Sequence, residues 1–215
     1  MSQIFSRSMN VVPLIVVAGM LVLGGLTLAG VWYWFSPRYT DVGYRPRQPV
    51  PFSHALHSGE HDLDCRYCHA SVELSPVANI PPTQICMNCH KTVNRDSELL
   101  APIRESAETG RRMQWVRVHN LPDYTFFDHS IHVSAGVGCA SCHGPVQTME
   151  VLRQFEPLSM SWCLDCHRNP DPHLRPLDQV TNMKWQPPED QLARAVVLRE
   201  QRGIAPSLDC TGCHR

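Results

Sequence analysis

The chain has 215 residues, ten of them cysteine, with a formal net charge of −1 and only 18% charged residues. That near-neutral balance excludes a basic nucleic-acid surface and an acidic solvating tail, so no nucleic-acid partner is expected. Apolar sequence occupies about the first 35 positions, and the remainder suffices for one domain or two small halves.

Residues 1–10 form a short N-terminal segment, expected on the cytoplasmic side. Val11 to Phe35 follows without a single Asp, Glu, Lys, Arg or His. A helix needs about 20 such residues to cross the hydrocarbon core, so residues 11–35 read as one transmembrane anchor. Trp32, Tyr33, Trp34 and Phe35 close it with an aromatic cluster suited to the interface. Gly25 and Ala29 give a small-x-x-x-small pair that could face a neighbouring helix. A cleaved signal peptide would have a shorter apolar core followed by a small-x-small site. Only Thr27-Leu28-Ala29 comes near, inside the run, so an uncleaved anchor is the better reading. Arg7 precedes the segment, whereas Arg38, Arg45 and Arg47 follow it, against the positive-inside tendency.

Residues 36–51 carry Pro37, Pro46, Pro49 and Pro51 and read as an extended linker to a domain at 52–215. Within that domain, helix signals are few. One helix is expected near Leu99–Thr109, ending at Gly110, with Pro102 confined to its start. A second follows Pro187-Pro188, with Glu189 and Asp190 in its first turn, a Leu192/Val196 stripe and Gly203 as cap.

Every cysteine belongs to one of five C-x-x-C-H pentapeptides: CRYCH (65–69), CMNCH (86–90), CASCH (139–143), CLDCH (163–167) and CTGCH (210–214). Tetrahedral zinc ligation gives no reason for histidine directly after each second cysteine, and a disulfide framework leaves those histidines unexplained. Covalent haem c does require them. Two thiols add to the porphyrin vinyl groups, and the adjacent histidine becomes the proximal iron ligand. The expected cofactor is therefore five haem c groups. Cys65, Cys68, Cys86, Cys89, Cys139, Cys142, Cys163, Cys166, Cys210 and Cys213 attach them. His69, His90, His143, His167 and His214 are the proximal ligands. Haem c is attached outside the bacterial cytoplasmic membrane, which overrides the charge flanks and places the domain in the periplasm.

Two matching phrases precede haem sites: Phe52-Ser-His54-Ala-Leu-His57 before the first, and Phe127-Asp-His129-Ser-Ile-His132 before the third. They lie 75 residues apart, close to the 74 from Cys65 to Cys139 and the 77 from Cys86 to Cys163. The chain thus reads as two duplicated haem-pair units, about 52–126 and 127–180, with a fifth site in 181–215. Histidines in such phrases suit the sixth position of an iron that transfers electrons without binding substrate. His54, His57, His129 and His132, with His119 from the run RVHNLPDYTFFDH (117–129), give five candidate distal ligands. His61 stands among Glu60, Asp62 and Asp64 and reads as solvated; His173 is a substitute. Met149 or Met160 could replace one imidazole, or simply pack beside a porphyrin. Arg66, Arg168 and Arg175 could pair with haem propionates.

The F-x-H-x-x-H phrases followed by C-x-x-C-H resemble the class III multihaem cytochromes. The anchor, the five sites, the runs RVHNLPDYTFFDHSIH (117–132) and PLSMSWCLDCHRNPDPHLRP (157–176) and the terminal C-x-x-C-H extend the likeness over the whole chain. It is similar to the pentahaem cytochrome subunit of bacterial alternative complex III, a quinol-oxidising respiratory assembly. That resemblance implies a multihaem cytochrome c fold, mostly irregular with short α-helices wrapped around five haems, plus one N-terminal transmembrane helix. It implies an electron-transfer subunit with no catalytic residues of its own. The implied partners are an iron–sulfur subunit, polytopic quinol-handling subunits, a monohaem cytochrome c and, as acceptor, a soluble carrier or terminal oxidase. Two other readings stay open: a self-sufficient membrane-anchored quinol dehydrogenase of the tetrahaem type, and a haem enzyme reducing a small oxyanion.

Overall fold

The structure is a computed structural model that describes residues 4–214. The first three positions of the 1–10 segment and the last position of the 181–215 segment lie outside the described residues. The chain forms two compact units, Met1–Asp41 and Val42–Arg215.

The first unit is built on one helix. A 3₁₀ turn, Arg7–Val11, leads into α1, Val12–Trp34, where Pro13 occupies the first turn and its missing N–H breaks no helical bond. Together they run Arg7–Trp34, 28 residues with a mean hydropathy of 2.5, long and apolar enough to cross a membrane. The apolar side chains surround the helix instead of forming a stripe: Leu14, Ile15, Leu21, Leu26 and Leu28 are all exposed. A helix apolar all round needs an apolar environment on every side. After α1 the chain does not run on extended. Pro37 opens a second short helix, α2, Pro37–Thr40, and Tyr39 turns back so that its ring lies 4.3 Å from Trp34 and 5.6 Å from Tyr33.

The expected 36–51 linker is therefore shorter than its prolines suggest. Part of it is α2, and from Val42 the chain belongs to the second unit. There Gly43 donates to the Gln154 carbonyl, Gln154 donates back to the Tyr44 carbonyl, and Val50 is buried.

The second unit consists of short helices joined by irregular chain: α3, Cys65–Cys68; α4, Thr83–His90; α5, Ala101–Thr109; α6, His129–Ala135; α7, Ala140–His143; α8, Met160–Arg168; α9, Gln191–Arg202; and α10, Cys210–Cys213. Among the described residues, β pairing is confined to two isolated antiparallel bridges, Thr125 with His214 and Val137 with Leu174. The two helices legible in the sequence end as expected, on Gly110 and Gly203 in left-handed conformation. At α9 the acidic residues precede the first turn instead of occupying it; Asp190 sits at the N-cap, and its carboxylate accepts from Arg194 Nε at 2.7 Å.

Buried apolar side chains are few. Leu174, 1% exposed, is the largest fully buried one. Its carbonyl accepts from Gln191 Nε2 of α9 at 2.6 Å, and the next residue, Arg175, donates its N–H to the Gly136 carbonyl at 2.9 Å. Gly136 ends α6 with φ +89°, where a β-carbon would run into the Arg175 carbonyl, so both backbone sign and space demand glycine. This junction holds the segment before α7 against α9. Truncating Leu174 to alanine should lower the unfolding free energy of the haem-loaded protein by about 2–5 kcal/mol, read from denaturant midpoints. A loss well under ~1 kcal/mol would show that the junction carries little of the fold.

Candidate functional site: cysteine motifs and paired histidines

All five C-x-x-C-H pentapeptides lie on or beside single helical turns: α3, the end of α4, α7, the end of α8 and α10. Residues three and four apart share a helix face, so each turn presents two thiols and the following imidazole together. The turns are closed by backbone bonds, His69 N–H to the Cys65 carbonyl at 2.8 Å, His143 to Cys139 at 3.0 Å and His214 to Cys210 at 2.8 Å. Local capping fixes several starts. The Asp64 carboxylate accepts from the Arg66 N–H before α3, and the Ser159 hydroxyl from the Trp162 N–H before α8. Of the ten cysteines, Cys89 and Cys210 are exposed and the other eight are half-buried.

The two F-x-H-x-x-H phrases fold alike. Phe52 and His54 have ring centroids 4.8 Å apart at 86°, and Phe127 and His129 repeat both values. Phe52 lies 4.4 Å from His57 at 26°, and Phe127 4.6 Å from His132 at 31°. His57 Nδ1 reaches the Ser53 carbonyl at 2.8 Å, and His132 Nδ1 the Asp128 carbonyl at 2.7 Å, each four residues back. The 75-residue repeat is thus a repeat of side-chain geometry as well as of letters.

A carbonyl oxygen can only accept, so the ring nitrogen facing it must carry the proton. Nδ1 is held this way in His57, His69, His90, His129, His132 and His167, by the carbonyls of Ser53, Asn79, Val93, Pro76, Asp128 and Ser207. Nε2 is then the unprotonated nitrogen, oriented as metal-binding imidazoles are oriented by their outer partners. Of these carbonyls, only those of Ser53 and Asp128 follow a sequence rule, the i−4 spacing within the repeated phrase.

Three imidazole pairs have a common separation. His57 and His90 have centroids 6.2 Å apart, His132 and His167 6.2 Å, and His129 and His143 6.3 Å with their planes within 9°. With metal–nitrogen bonds of about 2 Å, and the nitrogen roughly 1.2 Å from its ring centre, two imidazoles on opposite sides of one metal have centroids roughly 6.4 Å apart. Each pair joins a phrase histidine to a motif histidine. Among the described residues no group of three or more His, Cys, Asp or Glu is placed to hold a bare metal ion. Pairs suit an iron whose four remaining ligands come from a porphyrin, so the residues present fit haem c.

The other candidates gather unevenly. His119 lies against His143, rings 4.5 Å apart and nitrogens 3.4 Å apart. Burial holds His143 down to a pKa of about 3, and His54 and His119 to about 4, helped by the histidines near them. All three are neutral imidazoles at pH 7, the state that metal ligation requires. His54 Nδ1 is buried without a hydrogen-bond partner. His214 meets the Tyr124 ring at 5.8 Å, and its strand position is fixed by the Phe126 N–H bonding the Cys213 carbonyl at 2.6 Å. His61 is exposed, and burial lowers the pKa of the half-buried His173. Met149 is 5% exposed and Met160 66%. Arg66 is engaged with Asp64 and Glu73, and Arg168 with Asp165. Arg175 is buried, with its guanidinium 4.4 Å over the Trp185 ring and bonded to the Gln179 and Asn182 carbonyls.

Comparison with known proteins agrees with this geometry. The family described as cytochrome c552 matches residues 105–201. The multihaem cytochrome c subunit of menaquinone reductase from Nitratidesulfovibrio vulgaris Hildenborough is 31% identical over 121 residues, 55% of this chain. The match spans just over half of that relative's own length, 56%. Both likenesses are to c-type cytochromes, whose haem is covalently attached, in agreement with the C-x-x-C-H motifs.

The matched phrases generate a paired expectation. His57→Ala and His132→Ala should each convert one iron from low-spin to high-spin, and added imidazole should restore the low-spin signal. An unchanged electron paramagnetic resonance spectrum in either variant would remove that histidine from the ligand set.

Proposed function

We propose that this multihaem c-type cytochrome relays electrons through five c haems within a quinone-linked respiratory membrane complex, anchored by α1 with its haem domain on the periplasmic face of the bacterial cytoplasmic membrane. The observation that carries the reading is the set of three imidazole pairs at 6.2–6.3 Å, each joining a phrase histidine to a motif histidine. Haem c supplies reversible one-electron chemistry at iron. The chain holds His57, His69, His90, His129, His132 and His167 by Nδ1 and leaves Nε2 to the metal, so that iron bound between two such rings would keep its ligands in both oxidation states.

By duplication, His54 stands to His69 as His129 stands to His143, and His57 to His90 as His132 to His167. His119 lies in the cluster with His54, His129 and His143 and not beside His214, which meets Tyr124, so these pairings account for four of the five motif histidines. An enzyme reducing a small oxyanion needs an open iron position beside acid–base groups. Filled axial positions speak against that reading.

Quinol chemistry is assigned to partner subunits. The α1 segment, Val12–Trp34, has no Asp, Glu, Lys, Arg or His to accept a quinol proton, and such residues mark proton paths inside membranes. The full-length resemblance favours alternative complex III, with an iron–sulfur donor, polytopic quinol-handling subunits, and a cytochrome c or oxidase as acceptor. A second reading reverses the flow, because the relative's name is that of a menaquinone reductase. The same histidine pairs serve either direction.

Adding menaquinol to native membranes should reduce these haems, while the isolated cytochrome in detergent should stay oxidised. Oxidation of the prereduced haems by menaquinone in membranes would instead establish the reverse direction. Reduction of the isolated chain by menaquinol would sink the assignment of quinol chemistry to partners.

A further inference from the structure

The motifs follow one another in sequence, but their spatial neighbours are different. Motif 65–69 touches motif 86–90 directly, Asn88 Nδ2 donating to the Tyr67 hydroxyl at 3.1 Å. The other neighbour of motif 65–69 is motif 139–143. The Cys65 and Cys139 sulfurs lie beside each other. The loop after the first motif also seats the second phrase, since the Pro76 carbonyl accepts from both the N–H and Nδ1 of His129. Motif 139–143 continues to motif 163–167 through α6, whose His129 faces His143 at 6.3 Å and whose His132 faces His167 at 6.2 Å. Motif 163–167 meets the segment that carries motif 210–214: His167 Nδ1 donates to the Ser207 carbonyl at 2.7 Å, and the Ser207 side chain lies against Gly212.

We propose that the five sites form one unbranched row in the order 86–90, 65–69, 139–143, 163–167, 210–214, and that electrons enter and leave at its two ends. The duplicated units then meet head to head through their first sites. The second site of the first unit faces outward, and the C-terminal site extends the row from the second unit. Exposure agrees independently of the contacts. The only two exposed attachment cysteines are Cys89, in the motif at one end, and Cys210, in the motif at the other. The central motif 139–143 is instead flanked by the buried glycines Gly136, Gly138 and Gly144. For each electron a one-electron protein carrier at one end is oxidised, and a second one-electron carrier at the other is reduced. No bond or proton need move within the row.

The inference rests on haem occupancy of all five motifs, and one preparation tests both separately. Intact-mass measurement of the mature chain should give five haems; fewer would overturn the five-haem relay on which the row depends. An experimental structure of the haem-loaded protein should then show nearest-neighbour irons in the order above, with the irons of motifs 86–90 and 210–214 farthest apart. Five haems arranged in sequence order, or branching from one site, would overturn the row while leaving the relay intact.

Discussion

One hydrogen bond, repeated ring by ring, underlies this site: Nδ1 of a histidine donating to a backbone carbonyl. It selects the tautomer, turns the imidazole so that Nε2 faces the metal position, and costs no side chain from elsewhere. His69, His90 and His167 use it within the attachment motifs, and His57, His129 and His132 within the repeated phrases. Backbone carbonyls position these rings, three or four residues away for His57, His90 and His132 and from distant chain for His69, His129 and His167, so no regular sheet or long helix is needed between them. That explains how a unit of short helices, with two isolated β bridges among its described residues, keeps several imidazole pairs at a common spacing.

The duplication shows how such a fold can be extended. One phrase and two motifs make a unit whose second histidine lies opposite the second motif, as His57 does with His90 and His132 with His167. The first sites of the two units are brought together by the Pro76 carbonyl and the Cys65–Cys139 contact. Two copies joined there bring both first sites to the middle, where His54, His119, His129 and His143 collect and burial keeps His54, His119 and His143 neutral.

The sequence was most informative where the chemistry is local. A C-x-x-C-H turn is complete within five residues, and the F-x-H-x-x-H phrase carries its own i−4 bond, so both were legible as letters. The helix stops at Gly110 and Gly203 were legible for the same reason. Tertiary relations were not. The carbonyls of Asn79 and Ser207 that hold His69 and His167 lie 10 and 40 residues away, and no spacing rule points to them. The position of His119 beside His143, and of Tyr124 beside His214, likewise depends on chain paths between motifs. Prolines misled at 36–51, because proline suits both extended chain and the first turn of a helix, and Pro37 takes the second role.

The central proposal is that paired imidazoles would occupy both axial positions of the irons they hold, as electron transfer without substrate binding requires. Spin quantitation of the air-oxidised, haem-loaded protein by electron paramagnetic resonance, before and after adding nitrite, tests it most directly. The account predicts low-spin ferric signals from the bis-imidazole sites, unchanged by nitrite. A high-spin fraction larger than a single site could supply, or a nitrite-induced shift across several sites, would contradict it.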